Sequence, residues 1–311
     1  MKKTAYLFTI IFLLSISSAY SQKTFDFLRI DMSARAGALG GSFLANSDDI
    51  DVIFYNPAGL KMLSGRPASF SFVKYLLDIN LASVAYSQEV GDIGRFGAAI
   101  KYINYGTFTE ADVSGNKLGE FNAGELAMLV GYANTLSENF YYGANVKYIF
   151  SSIAGRSSSA LALDLGLHYS LPEIGWDFGF SVLNAGTQLS SYYSTKEDLP
   201  IDIAFGVAKK MEHLPLRLYV DFHKLNEQEN NFSDRFKSFS VGTEINLSSV
   251  LTMRLGYNNE KRKELKLGSF AGLAGLNTGL GILISDYRFD YGFSSMGQAG
   301  SLHRVSISTN F

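Results

Sequence analysis

The sequence predicts an all-β protein, a transmembrane antiparallel β-barrel of about fourteen strands with an N-terminal hatch inside its lumen. Three observations predict this fold. Beyond residue 65, apolar residues alternate with small or polar ones in segment after segment. The links that follow the even-numbered segments are mostly short, whereas several of the others are long. Residues 1–21 have the form of a secretory signal peptide, which directs export of the chain.

The signal peptide is recognised from three adjacent features. Lys2 and Lys3 precede an apolar run over residues 5–16, and residues 19–21 supply the small side chains that a signal peptidase reads. The apolar run is shorter than the ~20 residues of a membrane-spanning helix, which argues against a permanent anchor. Because the chain contains no cysteine, we expect neither a lipid-anchored mature N-terminus nor a disulfide framework.

The alternation has the period of a β-strand whose two faces meet different surroundings. In residues 161–169, four leucines and a tyrosine occupy every second position, and an alanine, an aspartate, a glycine and a histidine lie between them. Residues 142–150 and 287–294 repeat the pattern. Apolar residues facing lipid and small or polar residues facing inward are typical of an outer-membrane barrel. A soluble β-sandwich or a lipocalin-like barrel is the alternative, but only 18% of the residues are charged, too few for a solvated outer face.

The predicted domains are the signal peptide at 1–21, the hatch at 22–65 and the barrel at 66–311. The predicted strands begin near Ser69, Leu81, Arg95, Glu120, Phe140, Ser159, Trp176, Pro200, Leu216, Phe236, Leu251, Asn277, Tyr287 and Ser301. Long links follow the third, seventh, ninth and eleventh strands, around residues 106–119, 185–199, 224–235 and 258–275. Bacterial barrels have an even number of strands, short periplasmic turns and long extracellular loops, so we expect both termini in the periplasm.

The last predicted strand ends the chain at Phe311. A final strand that ends in phenylalanine resembles the C-terminal signal read by the outer-membrane assembly machinery. The same strand must also pair with the first strand, because a barrel has no free edges only when it closes. Phe311 is therefore predicted as an assembly signal.

Charged residues at inward positions predict what fills the lumen. By the alternation they are Lys101, Lys147, Arg217, Arg288 and Arg304, and Asp164, Asp202, Asp221, Glu244 and Asp290. An ion-selective pore would show a ring of one sign. Five charges of each sign favour internal pairs that brace a narrow or plugged lumen.

Residues 22–65 do not alternate, and their mixture of small, apolar and charged residues favours a hatch folded into the lumen over a free periplasmic tail. A short helix is expected to begin at Ser33. Asp48, Asp49 and Asp51 are expected in a solvated turn, because the spacing of a calcium-binding loop is absent.

A turn motif at Asn56, Pro57, Ala58, Gly59 and Leu60 ends the hatch. Pro57 fixes its own φ and disfavours a helical conformation at Asn56. Gly59 permits a tight bend, and the Asn56 side chain can bond to the backbone of the turn. We expect residues 51–60 at the periplasmic end of the barrel, packed against its inner wall.

Motifs for catalysis are missing from the sequence. The four histidines are scattered, and there is no nucleophile elbow, P-loop or dinucleotide-binding turn. We predict no enzyme activity, no cofactor, no metal and no nucleic-acid partner. The one basic run, Lys261, Arg262, Lys263 and Lys266, falls in a predicted extracellular loop. It is either a solvated loop or a contact for anionic lipopolysaccharide or a surface partner.

The hatch, the turn and the barrel together resemble the FadL-like barrels, and more closely the PorV/PorQ family. The resemblance rests on "SARAGALGGSFLANSDDIDVIFYNPAGL", and "IKYINYGTF" and "SLHRVSIS" are similar to the PorQ branch. PorQ-like proteins more often have Asn-Pro-Ala-Leu-Leu at the turn, where this chain has Gly59. The resemblance implies a non-enzymatic outer-membrane component of the type IX secretion system of Bacteroidota.

Two functions follow as hypotheses. The first is an outer-membrane anchor that presents surface or secreted proteins through its extracellular loops, in contact with outer-membrane lipid and a protein partner. The second is a FadL-like channel for uptake of hydrophobic small molecules, with the hatch as its gate.

Overall fold

The barrel and its hatch are seen in a computed structural model that describes residues 23–227, 231–266 and 272–311. Fourteen antiparallel strands pair in chain order, and β1 closes the barrel against β14. This confirms the predicted fold class; the predicted signal peptide lies outside the described residues. The strands are β1 Pro67–Lys74, β2 Asn80–Val90, β3 Gly94–Ala111, β4 Lys117–Ser137, β5 Phe140–Ile153, β6 Arg156–Leu171, β7 Trp176–Ser190, β8 Asp202–Lys210, β9 Leu216–Phe222, β10 Phe239–Asn246, β11 Leu251–Asn258, β12 Leu276–Ile284, β13 Tyr287–Ser295 and β14 Ser301–Asn310.

The two ends of the barrel differ. The links after the even strands, such as residues 138–139 and 285–286, are short and define the short-turn end. The links over residues 191–201, 223–238 and 259–275 belong to the opposite, long-loop end. Among the described residues, no helix is long and apolar enough to cross a bilayer.

The wall is taller on one side. Strands β3 to β7 have 14 to 21 residues, whereas the other strands have 7 to 11. The loop predicted at residues 106–119 is wrong, because β3 and β4 continue as a paired ribbon and only residues 112–116 lie outside strands. The β2 pairing ends at Asn104 and the β5 pairing begins at Ala123, so the ribbon stands above its neighbours.

The outer face is apolar, as the alternation predicts. On β6, Leu161, Leu163 and Leu165 are exposed, and Ala162 and Asp164 between them are buried. Aromatic side chains form a ladder around the short-turn end of the outer face, where a bilayer places its headgroup region. Its members include Phe96, Tyr132, Tyr142, Phe140, Tyr169, Phe178 and Trp176.

The hatch fills the lumen with short helices. It comprises 3₁₀ helices at Asp26–Arg29, Ile50–Phe54 and Pro57–Met62, and the α-helix α1 at Ala34–Ala38. The expected helix start at Ser33 is confirmed, since this residue occupies the N-cap of α1. Every side chain of α1 is buried, including that of Arg35, so the helix is surrounded by the barrel wall rather than by water.

A belt of glycines lets the hatch backbone touch the wall. Inward glycines face each other across neighbouring strands in five pairs, Gly97/Gly131, Gly143/Gly166, Gly179/Gly206, Gly242/Gly256 and Gly279/Gly292. Each of these ten glycines has a hatch atom among its nearest neighbours. A Cβ atom at Gly143 would lie 2.5 Å from the carbonyl carbon of Pro57, and one at Gly179 would lie 2.2 Å from the Leu44 oxygen. Larger side chains would therefore displace the hatch.

Candidate functional site in the lumen

The turn motif lies against the wall near the short-turn end. Asn56 caps the 3₁₀ helix Pro57–Met62, and its Oδ1 accepts a hydrogen bond from the Ala58 amide at 3.2 Å. Its Nδ2 donates to the Leu44 and Leu167 carbonyls, each at 3.0 Å. Asn56 therefore ties the turn to another part of the hatch and to β6 as well as to its own backbone.

Gly59 serves a different purpose from the expected one. It lies inside the 3₁₀ helix and does not adopt positive φ, so the turn does not need its conformational freedom. A Cβ atom here would lie 2.6 Å from Val52 Cγ2 and 3.0 Å from the Asn46 carbonyl. Lack of space between hatch segments explains the glycine.

The structure places the ten predicted lumen charges on the inner wall, eight of them buried and Arg217 and Arg288 half-buried. Only two pairs form within this set, Lys147 with Asp164 and Arg288 with Asp290. Six of the ten contact the hatch, and Arg288 does so in addition to its pair with Asp290. They are Lys101, Arg217, Asp221, Glu244, Arg288 and Arg304.

Arg35 of α1 is the centre of the charge network. Its guanidinium donates to both Glu244 carboxylate oxygens at 2.8 and 2.7 Å, to Asp48 at 2.7 Å and to Asp49 at 3.3 Å. On the wall side, Arg254 donates to Glu244 at 2.6 Å. Bidentate charge-assisted contacts of this kind are the strong ones among hydrogen bonds, so Arg35 fixes α1 to β10.

Further ion pairs spread from this centre around the wall. Arg217 donates to hatch Asp48 at 3.1 Å and to Asp177 at 2.9 Å. Arg288 contacts hatch Asp49 and donates to Asp290 at 2.9 Å. The hatch is thus bound to β9, β10 and β13 by ion pairs.

Other lumen charges hold backbone groups of the hatch. The Asp221 carboxylate accepts the amides of Phe43 and Leu44 at 2.6 and 2.8 Å. The Lys101 ammonium donates to the Leu28 and Ile30 carbonyls at 2.9 and 2.6 Å. These contacts satisfy hatch groups that have no partner in a regular helix or sheet.

A few remaining wall charges have different partners. Arg304 donates to the Asp31 carbonyl at 3.0 Å and to the Ser294 hydroxyl at 2.7 Å. Asp202 accepts from the Lys224 amide at 2.5 Å and lies 3.2 Å from His223.

Sequence reasoning missed several members of the network. Arg254 and Asp177 alternate with outward Met253, Leu255, Trp176 and Phe178, so the strand period could have identified them. Arg35 has no such signal, because its wall partner, Glu244, lies 209 residues away along the chain.

Two of the three acidic residues of the hatch run are buried, so the expectation of a solvated turn is wrong for Asp49 and Asp51, whereas Asp48 is exposed. Asp49 and Asp51 are 3% and 2% exposed. Burial and then the charge of Asp49 raise the pKa of Asp51 to about 7. Its carboxyl accepts a hydrogen bond from the Ser69 hydroxyl at 2.6 Å.

Below the hatch, a cavity of about 770 Å³ lies at the short-turn end. We call it the vestibule. Charged side chains of the hatch and wall form its inner surface, and turns of the barrel form its rim. Its lining includes Arg35, Asp48, Asp49, Glu244, Arg254 and Arg288.

An apolar cup occupies the long-loop half of the lumen, where the N-terminal part of the hatch packs against the wall. Its wall is made of inward side chains of β1 to β6 and one residue of the link between β7 and β8; these are Val73, Leu81, Ile103, Ala127, Ile149, Ala160, Ala162 and Leu199. Phe25, Phe27 and Met32 of the hatch fill the cup, each at most 3% exposed. The apolar lining of the cup differs from the charged lining of the vestibule.

The wall is irregular beside the cup. The pairing of β6 with β7 shifts between Leu163 and Leu165, and Asn184 adopts a φ of 60°. Both Leu183 and Asn184 are buried, so the bulge reverses which side chains of β7 face inward. The Asn184 amide donates to Asp164 at 2.8 Å, and the Lys147 ammonium donates to its side-chain oxygen at 2.8 Å.

The predicted basic loop contains a short helix, α2, at Asn259–Glu264. Lys261 turns inward and donates to Asp31 of the hatch at 3.0 Å. Burial opposes the charge of Asp31, but Lys261 and Arg304 lower its pKa to about 2. Arg262, Lys263 and Lys266 remain exposed.

Phe311 is 72% exposed at the short-turn end, and in the described structure its hydrogen bonds are made by its backbone. Its amide and carbonyl pair with Arg66 at 3.3 and 3.1 Å, next to the closing strand pair of β1 and β14. Its role as an assembly signal stays a prediction.

Comparison with solved structures finds the same architecture in several barrels. The toluene transporter TbuX of Ralstonia pickettii has a TM-score of 0.62 at 13% identity, over 90% of this chain and 98% of that one. The toluene transporter TodX of P. putida has a TM-score of 0.57 at 15% identity, over 89% and 97%. A FadL homologue of Pseudomonas aeruginosa has a TM-score of 0.58 at 9% identity, over 91% and 99%.

No family model and no curated protein matches the sequence. The structural likeness therefore extends to the fold and does not separate the PorV/PorQ branch from other members. The chain has the fold of the FadL-like outer-membrane barrels.

Proposed function

We propose that the protein is an outer-membrane channel for apolar small molecules and that the hatch closes it. The observation that carries this proposal is the apolar cup, whose surface is inside the lumen and is covered by Phe25 and Phe27 of the chain itself. This surface would offer a binding site to an apolar molecule once Phe25 and Phe27 leave it. Burying an apolar molecule there would be favourable by about 25 cal/mol per Å² of surface removed from water.

The position of the hatch fits a gate. It separates the cup at the long-loop end from the vestibule at the short-turn end, so a molecule crossing the lumen must displace it. The two toluene transporters with the same fold support an apolar cargo. They also support an outer-membrane location and a role in transport rather than catalysis.

Hydrogen exchange tests whether an apolar ligand enters the cup. The Leu28 and Ile30 amides bond to the Phe25 and Phe27 carbonyls at 3.0 and 3.1 Å, and a ligand that displaces this turn would break both bonds. We expect toluene to accelerate exchange of these amides. The Leu44 amide, which donates to Asp221, serves as the internal control.

The variant Phe27→Ala sharpens this experiment. Removing a buried phenylalanine deletes about 1.5–3 kcal/mol of competing burial, which corresponds to roughly 10- to 150-fold tighter binding of toluene. Phe70→Ala on the lipid-facing side of β1 is the matched control and leaves binding unchanged. Exchange at residues 24–30 that does not respond to toluene in either protein would reject the channel.

We propose as the second candidate a surface scaffold of the type IX secretion system, as the PorV/PorQ resemblance implies. The β3–β4 ribbon supports it, because this ribbon rises beyond both neighbouring strands and exposes Phe108, Val113 and Leu118. Its outer edges lie beyond the ends of the β2 and β5 pairings, and such edges accept an added strand.

Trimming separates the two candidates. Replacing residues 108–120 by a two-residue turn would abolish recovery of a secreted partner from cells if the protein is a scaffold. Shortening residues 191–197 provides a control at the same end. If the secreted partner is still recovered and still displayed at the cell surface after the ribbon is trimmed, a scaffold that acts through the ribbon is excluded.

A further inference from the structure

The loop between β9 and β10 packs against the outside of the barrel at the long-loop end. In its 3₁₀ helix Phe232–Lys237, the Phe236 ring lies 5.6 Å from Phe222, edge to face, and Phe232 lies 5.5 Å from Phe236. Phe222 belongs to the lipid-facing side of β9, because Tyr219 and Asp221 point inward. Phe232 is nevertheless 74% exposed. The loop thus extends the apolar, lipid-facing surface of the barrel beyond the long-loop end of β9.

The aromatic surface continues onto the next strands. Phe239 of β10 lies 6.5 Å from Phe222, and Tyr257 of β11 lies 6.1 Å from Phe239. We call Phe222, Phe232, Phe236, Phe239 and Tyr257 the aromatic patch. Rings at the ends of barrel strands occupy the level where lipid acyl chains meet headgroups.

A cationic rim lies beside the patch. The Lys237 carbonyl accepts hydrogen bonds from Asn259 at 2.8 Å and from the Lys263 ammonium at 3.5 Å, which fixes α2 next to the 3₁₀ helix. The rim consists of Arg235, Lys237, Arg262, Lys263 and Lys266. Asp234 pairs with Lys237 and offsets one of these charges. Glu264 of α2 is also exposed and offsets a second, so the rim keeps an excess of three positive charges.

We propose that the aromatic patch and the cationic rim together bind the phosphorylated headgroup of a lipid in the outer leaflet. The acyl chains would lie on the patch, and the headgroup phosphates would contact the rim. Two features favour a lipid over a protein. The patch is continuous with the lipid-facing wall, and the charges adjoin it as phosphates adjoin acyl chains. The inference is independent of whether the lumen transports anything.

Native mass spectrometry of the purified full-length barrel tests this site. The probes are lipid A with both phosphates and the same lipid with both phosphates removed. Each cation near an anionic lipid contributes about 1 kcal/mol, so Lys237→Gln with Lys263→Gln is expected to weaken lipid A binding roughly 25-fold. Binding of the dephosphorylated lipid is expected to stay the same.

Matched variants separate charge at this site from charge in general. Lys117→Gln with Lys196→Gln removes two exposed lysines at the same end but away from the patch, and it should leave lipid A binding unchanged. Phe232→Ser with Phe236→Ser should weaken both lipids alike. Heat-modifiable migration on a gel verifies that every variant forms the barrel. Equal binding of both lipids by the unmodified protein, or an equal loss in the control, would overturn the proposal.

Discussion

Gly143→Ala is expected to push the hatch away from the wall. The added methyl group would lie 2.5 Å from the Pro57 carbonyl carbon and 2.6 Å from the Ala58 nitrogen, and both contacts are to backbone that cannot rotate aside. Overpacking of this kind costs about 1–3 kcal/mol. If the hatch absorbs that cost by opening, its open population rises roughly 5- to 150-fold.

Cysteine labelling measures this population directly, because the natural chain contains no cysteine. A single cysteine introduced as Ala45→Cys lies in the hatch at a fully buried position and reacts with a maleimide only when the hatch opens. Labelling at Ala45→Cys is expected to accelerate in the Gly143→Ala background while the barrel keeps its folded migration on a gel.

Gly119→Ala provides the control for this experiment. Gly119 lies in the β3–β4 ribbon, where an added Cβ atom would have a single neighbour at 4.0 Å, and its φ is not positive. Alanine is expected to leave labelling unchanged there. An unaltered labelling rate in Gly143→Ala, or an equal rise in Gly119→Ala, would refute the argument that wall glycines admit the hatch.

Three more predictions concern the charges of the lumen and the chain terminus. The folded-state pKa of Asp51, about 7, lies above its unfolded value of about 3.9. The stabilisation from its bound proton is therefore complete below pH 4 and is lost as the pH rises through 7. Asp51→Asn should remove up to about 4 kcal/mol of this pH dependence, measured by hatch labelling between pH 4 and 8. Arg35→Met should leave buried carboxylates uncompensated and raise labelling by about 100-fold, and adding Glu244→Gln should recover part of the loss, because the double variant removes both charges. Deleting Phe311 should lower the amount of barrel assembled in the outer membrane but leave the urea midpoint of purified, refolded barrel unchanged, since its side chain is exposed.

The barrel itself could be predicted from the sequence because its signal is local. Every strand begins within three residues of the predicted start, and six of them begin at the predicted residue, those at Phe140, Trp176, Leu216, Leu251, Tyr287 and Ser301. Lipid on one side and a filled lumen on the other impose a strict period of two on each strand. That period survives without knowledge of which strands are neighbours.

The contacts of the hatch could not be predicted in the same way. The Arg35–Glu244 pair and the close approach of Pro57 to Gly143 depend on strand register and on the path of the hatch. The burial of Asp49 follows from the same path, although its sequence resembles a polar turn. The β3–β4 ribbon was missed because its polar residues follow no alternation, and it forms by extension of an established hairpin.

The most direct test of the account is to lock the hatch shut. The Ser42 and Ser240 hydroxyls, one on the hatch and one on β10, are 2.8 Å apart, so Ser42→Cys with Ser240→Cys is expected to form a disulfide. Ser159→Cys with Ser190→Cys joins β6 to β7, whose hydroxyls are also 2.8 Å apart, and leaves the hatch free.

Uptake of the apolar dye N-phenyl-1-naphthylamine is then followed in bacterial cells that carry each variant in the outer membrane. We expect oxidation of the hatch lock to reduce uptake to that of cells without the protein and a reductant to restore it, and we expect the β6–β7 disulfide to have no effect. Uptake that continues unchanged through the oxidised hatch lock would contradict the claim that the hatch closes an apolar passage.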